Sequence, residues 1–140
     1  MKKIISLISL ILVAILVTGC GGTSSGTITC KTEARGTDPT TVTYEKYVVE
    51  NNKVVEYTKY NTLKFSNDYL NKVPMETILE VYNKDTEITV EKVDGNTLKT
   101  TVKAPRNYYA DMESDNMIET IRASLEDNEF SLYKYTCEVE

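Results

Sequence analysis

A chain of 140 residues, 26% of them charged, with a formal charge of −5, has room for one domain of ordinary size. Its acidity argues against a nucleic-acid partner, because holding phosphates takes clustered Lys and Arg. Histidine is absent, which excludes Ser-His-Asp and Cys-His catalytic units and histidine-ligated metals, while ten tyrosines and many threonines favour β-structure.

Met1-Lys2-Lys3 followed by the apolar run from Ile4 to Val17 has the positive start and hydrophobic region of a secretory leader. The run is shorter than the roughly 20 residues that an ordinary membrane-spanning helix needs. It ends in Val17-Thr18-Gly19-Cys20, which resembles the lipobox of bacterial lipoproteins. There the cysteine thiol receives a diacylglyceryl group and cleavage leaves that cysteine first in the mature chain. Thr18 and Gly19 are small enough for the peptidase, and only a cysteine sulfur accepts the lipid. The alternative is an ordinary secreted protein whose cleavage site falls beside a cysteine. The division expected is a signal peptide over 1–19, lipidated Cys20 with a flexible tether over 20–26, and one domain over 27–140. Two acyl chains are enough for stable anchoring. Loss of Lys2 and Lys3 with the leader leaves 14 basic against 21 acidic side chains, a formal −7.

Three cysteines become two once Cys20 carries lipid, and two can pair outside the cytoplasm. Cys30 and Cys137 each lie in a strand-like stretch, so a disulfide joining the terminal strands is expected. Two separate buried thiols are the alternative.

The strand pattern begins with Thr27 to Glu33, which places Ile28, Cys30 and Thr32 on one face. Turn chemistry follows in Arg35-Gly36-Thr37-Asp38-Pro39. Thr41 to Glu50 and Lys53 to Tyr60 form a hairpin about Asn51-Asn52, since asparagine tolerates positive φ. A tight two-residue turn pairs Glu50 with Lys53, Val49 with Val54 and Val48 with Val55. That register puts Val42, Tyr44, Val48, Val55 and Tyr57 on a common face and leaves Tyr47 and Tyr60 on the less apolar one.

Ser66 or Asn67 caps a short helical turn through Leu70, and Pro74 opens a helix whose stripe is Met75, Ile78, Leu79 and Tyr82. Asn83-Lys84-Asp85 stops it. A second hairpin from Thr86 to Ala104 turns through Asp94-Gly95-Asn96. A three-residue loop pairs Ile88 with Val102, Val90 with Thr100 and Glu91 with Lys99, with Asn96 as the left-handed residue. After an irregular stretch from Ala104 to Ser114, Asp115 or Asn116 caps a last helix in a capping-box arrangement with Glu119. Ile118, Ile121 and Leu125 form its stripe, and Phe130 to Val139 closes the chain as a strand. The order β-β-β-α-β-β-α-β predicts an α+β domain: a largely antiparallel sheet of about six strands with one or two helices packed on it.

Several features together resemble a known group. They are the lipobox, the short tether, Cys30-Lys31 at the first strand, the tyrosine-rich hairpin with Lys53-Val54, and Thr136-Cys137 near the C-terminus. The chain resembles the small lipoproteins of Gram-positive bacteria and, more remotely, the YehR-type lipoproteins. Where the YehR-type pattern has Gly-Asp or Asp-Gly in its first hairpin turn, this chain has Asn51-Asn52. The resemblance implies a lipid-anchored extracytoplasmic protein and carries over no catalytic residue.

Candidate sites are few. Asp111, Glu113 and Asp115 open like a calcium loop, but Asn116 replaces the needed glycine and Arg122 the closing glutamate, so these acids suit the following helix N-terminus. Glu76 and Glu80 share a helix face without neighbours that separate their acidities. Arg106, Tyr108 and Tyr109 lie in the longest connection, where tyrosine and arginine carry recognition. The expectation is a non-enzymatic binding or interaction module on the outer face of the cytoplasmic membrane. Its partners are membrane lipid through diacylglyceryl-Cys20 and a protein or envelope component, with no cofactor or metal. A small-ligand carrier with a pocket between sheet and helices is the alternative, and an enzyme using carboxylates or tyrosine alone is a third reading.

Overall fold

Asn51 and Asn52 both have positive φ, 50° and 62°, and this turn joins the two longest strands. The computed structural model describes residues 24–34, 36–129 and 133–140. The expected leader, Cys20 and the beginning of the expected last strand at Phe130 lie outside the described residues. The strands are β1 (Gly26–Ala34), β2 (Thr40–Glu50), β3 (Lys53–Lys64), β4 (Ile88–Lys92), β5 (Thr97–Val102) and β6 (Thr136–Val139). The helices are α1 (Asn67–Leu70), α2 (Met75–Tyr82) and α3 (Met117–Glu126). The strands form one antiparallel sheet in the order β4-β5-β3-β2-β1-β6. This is the α+β architecture that the element order predicts.

The β2–β3 hairpin begins in the expected register, Glu50 with Lys53 and Val49 with Val54, and then departs from it. A bulge leaves Val55 unpaired, so Val48 faces Glu56 and Tyr47 faces Tyr57. One extra residue on β3 inverts every face assignment beyond it. On β3, Tyr60 thereby comes to share the uncovered face with Val42, Tyr44 and Val48 of β2, and Tyr57 joins Tyr47 under the helices. Tyr44 and Tyr60 stack at 4.7 Å on that open side, with Lys99 Nζ 4.7 Å from the Tyr60 ring centre.

The second hairpin has the expected pairs, Ile88 with Val102, Val90 with Thr100 and Glu91 with Lys99. Asn96 is not left-handed: its amide bonds the Asp94 carboxylate at 2.9 Å, an Asx turn that closes the loop without positive φ. The capping residues are Ser66 for α1, whose hydroxyl accepts from the Tyr69 amide, and Asn116 for α3, whose side chain accepts from the Glu119 amide. Glu119 does not reach back to complete the box; its carboxylate pairs with Arg122 at 3.6 Å. Pro74 occupies the N-cap of α2 rather than its first turn.

Two apolar clusters share the covered face. Ile28, Cys30, Tyr47 and Val49 pack with Tyr109, Met117 and Ile121 beneath α3. Leu63, Phe65 and Leu98 pack with Met75 and Ile78 beneath α1 and α2. Between them runs a polar band in which the Thr43 hydroxyl bonds Asn61 Oδ1 at 2.8 Å and Asn61 Nδ2 bonds the Thr100 hydroxyl at 3.4 Å. These side chains leave the middle of the sheet with no apolar stripe for a helix to cover, so the helices settle at its two ends.

Cys30 and Cys137 face each other across β1 and β6 and are joined as a disulfide. At the N-terminal side, residues 24–26, expected as part of a flexible tether, are held by the fold. Ser24 donates from its backbone and its hydroxyl to Asn52 Oδ1, both at 2.6 Å, and its carbonyl accepts from the Asn52 amide. The Ser25 hydroxyl accepts from the Asn51 amide at 3.0 Å. Gly26 is already in β1, where a Cβ would come within 2.9 Å of the Glu140 carbonyl oxygen. Ser24 to Gly26 thus belong to the fold, because the left-handed asparagine turn leaves its amides and side chains aimed at them.

Candidate functional site

The polar band has one charged group at its centre. Glu45 on β2 is 8% exposed and aligns with Cys30 on one side and Lys59 on the other. A carboxylate at this depth needs partners, and three donors converge on it. The Tyr47 hydroxyl bonds Oε2, while the Tyr135 hydroxyl at 3.1 Å and Lys59 Nζ at 3.4 Å share Oε1. Tyr57 stacks on Tyr47 at 4.6 Å, and Tyr109 meets Tyr47 edge-on at 5.4 Å. The result is a carboxylate surrounded by phenols, with one ammonium at its solvent side.

Above these residues lies an open cleft of about 630 Å³ between the sheet, the C-terminal half of α3 and the Ala104–Tyr109 segment. Its floor is Glu45, Tyr57 and Lys59, and its rim carries Arg106 and Tyr108. A smaller depression of about 260 Å³ adjoins it, sharing Lys59 and reaching Thr43 and Tyr135. On the other side of β1, Lys31, Glu33, Val42 and Tyr44 help line a depression of about 540 Å³ with Tyr133 and Thr136.

The three residues expected to carry recognition are split. Tyr108 is 70% exposed, with the Arg106 guanidinium 4.8 Å from its ring centre, and both stand at the mouth of the cleft. Tyr109 is 8% exposed and its hydroxyl bonds Ser124 at 2.6 Å. It belongs to the α3 core cluster, which corrects its expected surface role: adjacent residues here point to opposite sides, and the Asn107 side chain fixes the turn by accepting from the Tyr109 amide at 3.0 Å. Glu76 and Glu80 are both exposed on α2. Among the described residues, Asp111, Glu113 and Asp115 included, no group of three or more acidic or cysteine side chains is placed to hold a metal.

Glu45, Lys59, Tyr57 and Tyr135 were not singled out by sequence. One signal was available, since Glu45 alternates with Tyr47 and Val49, and those three lie opposite the Cys30 and Ile28 side of β1. The unbulged register instead turns Glu45 outward.

The phenols around Glu45 resist ionisation. Burial, reinforced by the hydrogen bond that its hydroxyl donates to the Glu45 carboxylate, pushes Tyr47 far above the ordinary tyrosine value. Burial and then the charge of Glu45 raise Tyr57 likewise and push Tyr135 up to about 12. At neutral pH these groups are protonated and serve as hydrogen-bond donors and acceptors. The linkage has a clear sign. A phenol that ionises near pH 10 when unfolded and only at higher pH when folded contributes its full stability below pH 10. That contribution falls as pH climbs through 10 toward 12 and beyond. Alkaline titration should therefore show part of the phenolate absorbance appearing together with loss of near-ultraviolet circular dichroism. Full ionisation of all tyrosines near pH 10, with the fold retained, would contradict the buried cluster.

Compared with known protein families, curated proteins and solved structures, the chain has no match.

Proposed function

We propose that this chain is a lipoprotein held by diacylglyceryl-Cys20 on the outer face of the cytoplasmic membrane, and that its domain is a non-enzymatic binding module that takes a protein or envelope partner at the Arg106–Tyr108 rim. The observation that carries the reading is the exposed Arg106–Tyr108 pair at the mouth of a cleft whose floor presents phenols, Lys59 and Glu45. A planar cation on an exposed ring offers large contact area with little entropy left to lose. The absence of a catalytic role is supported by the engagement of Glu45, whose oxygens already accept from three donors, and by the raised phenols. The acidic balance of the mature chain supports a partner other than nucleic acid.

The volume of the cleft favours a second reading, a small-ligand carrier, because it falls within the roughly 300–1,000 Å³ of ordinary ligand sites. A photo-crosslinker placed beside Tyr108 in cells separates the two. A protein adduct lost in both Arg106→Ala and Tyr108→Ala supports the module. Adducts unaffected by either change place recognition elsewhere. Lipid anchoring is tested independently: the mature protein should carry diacylglycerol mass on Cys20, and Cys20→Ala should leave it uncleaved or release it.

A further inference from the structure

The clamp on Ser24 fixes more than the length of the tether. Only Gly21, Gly22 and Thr23 separate Cys20 from a residue whose backbone and side chain are bonded to the β2–β3 turn. Fully extended, that connection reaches about 14 Å. The Ser24 hydroxyl also accepts from the Ile118 amide at 3.5 Å, which ties the same point to the first turn of α3. The exit of the anchor is therefore at one end of the sheet. The β4–β5 turn lies at the other: Lys64 pairs with Thr97, and the Asn96 carbonyl accepts from the Phe65 amide. β3 has 12 residues and spans the distance between these ends, about 36 Å at the usual strand rise.

We propose that the end formed by Ser24, Ser25, the Asn51-Asn52 turn and the N-terminus of α3 faces the lipid headgroups, so that the domain stands on the bilayer with the β4–β5 turn outermost. The inference rests on the lipid anchor at Cys20 proposed above. A tether of this reach cannot carry the domain round to present its far end, whereas the six-residue flexible tether expected from sequence has more latitude. At the near end Glu50 stands opposite Lys53, while Glu119 in the first turn of α3 and Glu140 beside Thr27 add charge of the same sign as anionic headgroups. The contact is thus proximity imposed by the tether and not insertion of the turn. Lys59 lies six residues along β3 from Lys53, which lifts the cleft about 20 Å from the turn. Its mouth then opens to the envelope space, clear of the headgroups.

The test uses the full chain, expressed in a lipoprotein-processing bacterium and recovered as the lipidated, isotope-labelled protein in nanodiscs of phosphatidylcholine and phosphatidylglycerol. Gadolinium-chelating lipid is included, and paramagnetic broadening of amide signals reports distance from the headgroups. Asn52 and Lys53 should be broadened about tenfold or more beyond Gly95 and Asn96, given the strand length that separates them. Asn52→Gly keeps the positive φ of the turn while removing the side chain that holds Ser24, and it should shrink that contrast. Equal broadening at both ends, or stronger broadening at Gly95, in protein whose mass includes the lipid overturns the orientation and leaves the anchor standing. Protein with no lipid mass overturns both.

Discussion

Reducing the Cys30–Cys137 bridge should destabilise the domain by about 4–5 kcal/mol, because the bond closes a loop with a sequence separation of 107 residues. In a domain of this size that corresponds to a fall of about 15–25 °C in Tm. The effect has a local component. β6 is a four-residue edge strand held to β1 by four residue pairs, from Ile28–Val139 to Lys31–Thr136. Glu126 supports it by accepting from the Cys137 amide at 2.7 Å, covering part of the edge. Without the bridge, this strand should fray first and show hydrogen exchange well before global unfolding. A Cys30→Ala/Cys137→Ala variant measured by urea denaturation should give the same loss as reductant on the native chain. Unchanged stability in reductant, or two free thiols on unfolded and unreduced protein, would contradict the pairing.

Neighbouring tyrosines should respond very differently to truncation. Tyr109→Ala removes a ring packed against Tyr47 in the α3 cluster and is expected to cost about 3–5 kcal/mol, in the range of large-to-small core substitutions at aromatic positions. Tyr109→Phe keeps the ring and loses only the hydrogen bond to Ser124, at about 1 kcal/mol. Tyr108→Ala should stay within about 0.5 kcal/mol, since the ring is exposed and contacts Arg106 alone among the described cation–ring pairs at the rim. Urea midpoints for the three variants check the ordering. If Tyr108→Ala proves as costly as Tyr109→Ala, the rim is a structural element and the recognition surface must lie elsewhere. If Tyr109→Ala is neutral, the core described beneath α3 is wrong.

The features legible in the sequence are those governed by neighbouring residues. Asn51-Asn52 specifies a tight turn because asparagine accepts positive φ, and the pairs Ser66-Asn67 and Asp115-Asn116 mark helix starts, of which Ser66 and Asn116 prove to reach amides three residues on. The pairing of the second hairpin follows in the same way from its alternation and loop length, and the bridge between Cys30 and Cys137 from two strand-like stretches. Apolar periodicity placed Met75 and Ile78 of α2 and Ile121 of α3 in the core but passed over the buried Met117, and the order of elements led to the α+β class. What only the tertiary structure decided depends on residues distant in the chain. Strand pattern alone cannot reveal the bulge at Val55, because a two-residue turn is satisfied with or without it. The choice is made where β1 supplies Ile28 and Cys30 beside Tyr47 and Glu45, and α3 supplies Met117 and Ile121 above them. The burial of Glu45 likewise depends on a hydroxyl 90 residues away, on Tyr135. Polarity marks such a residue for solvent until those donors are brought to it, and that is why the centre of the candidate site emerges only from the packed sheet.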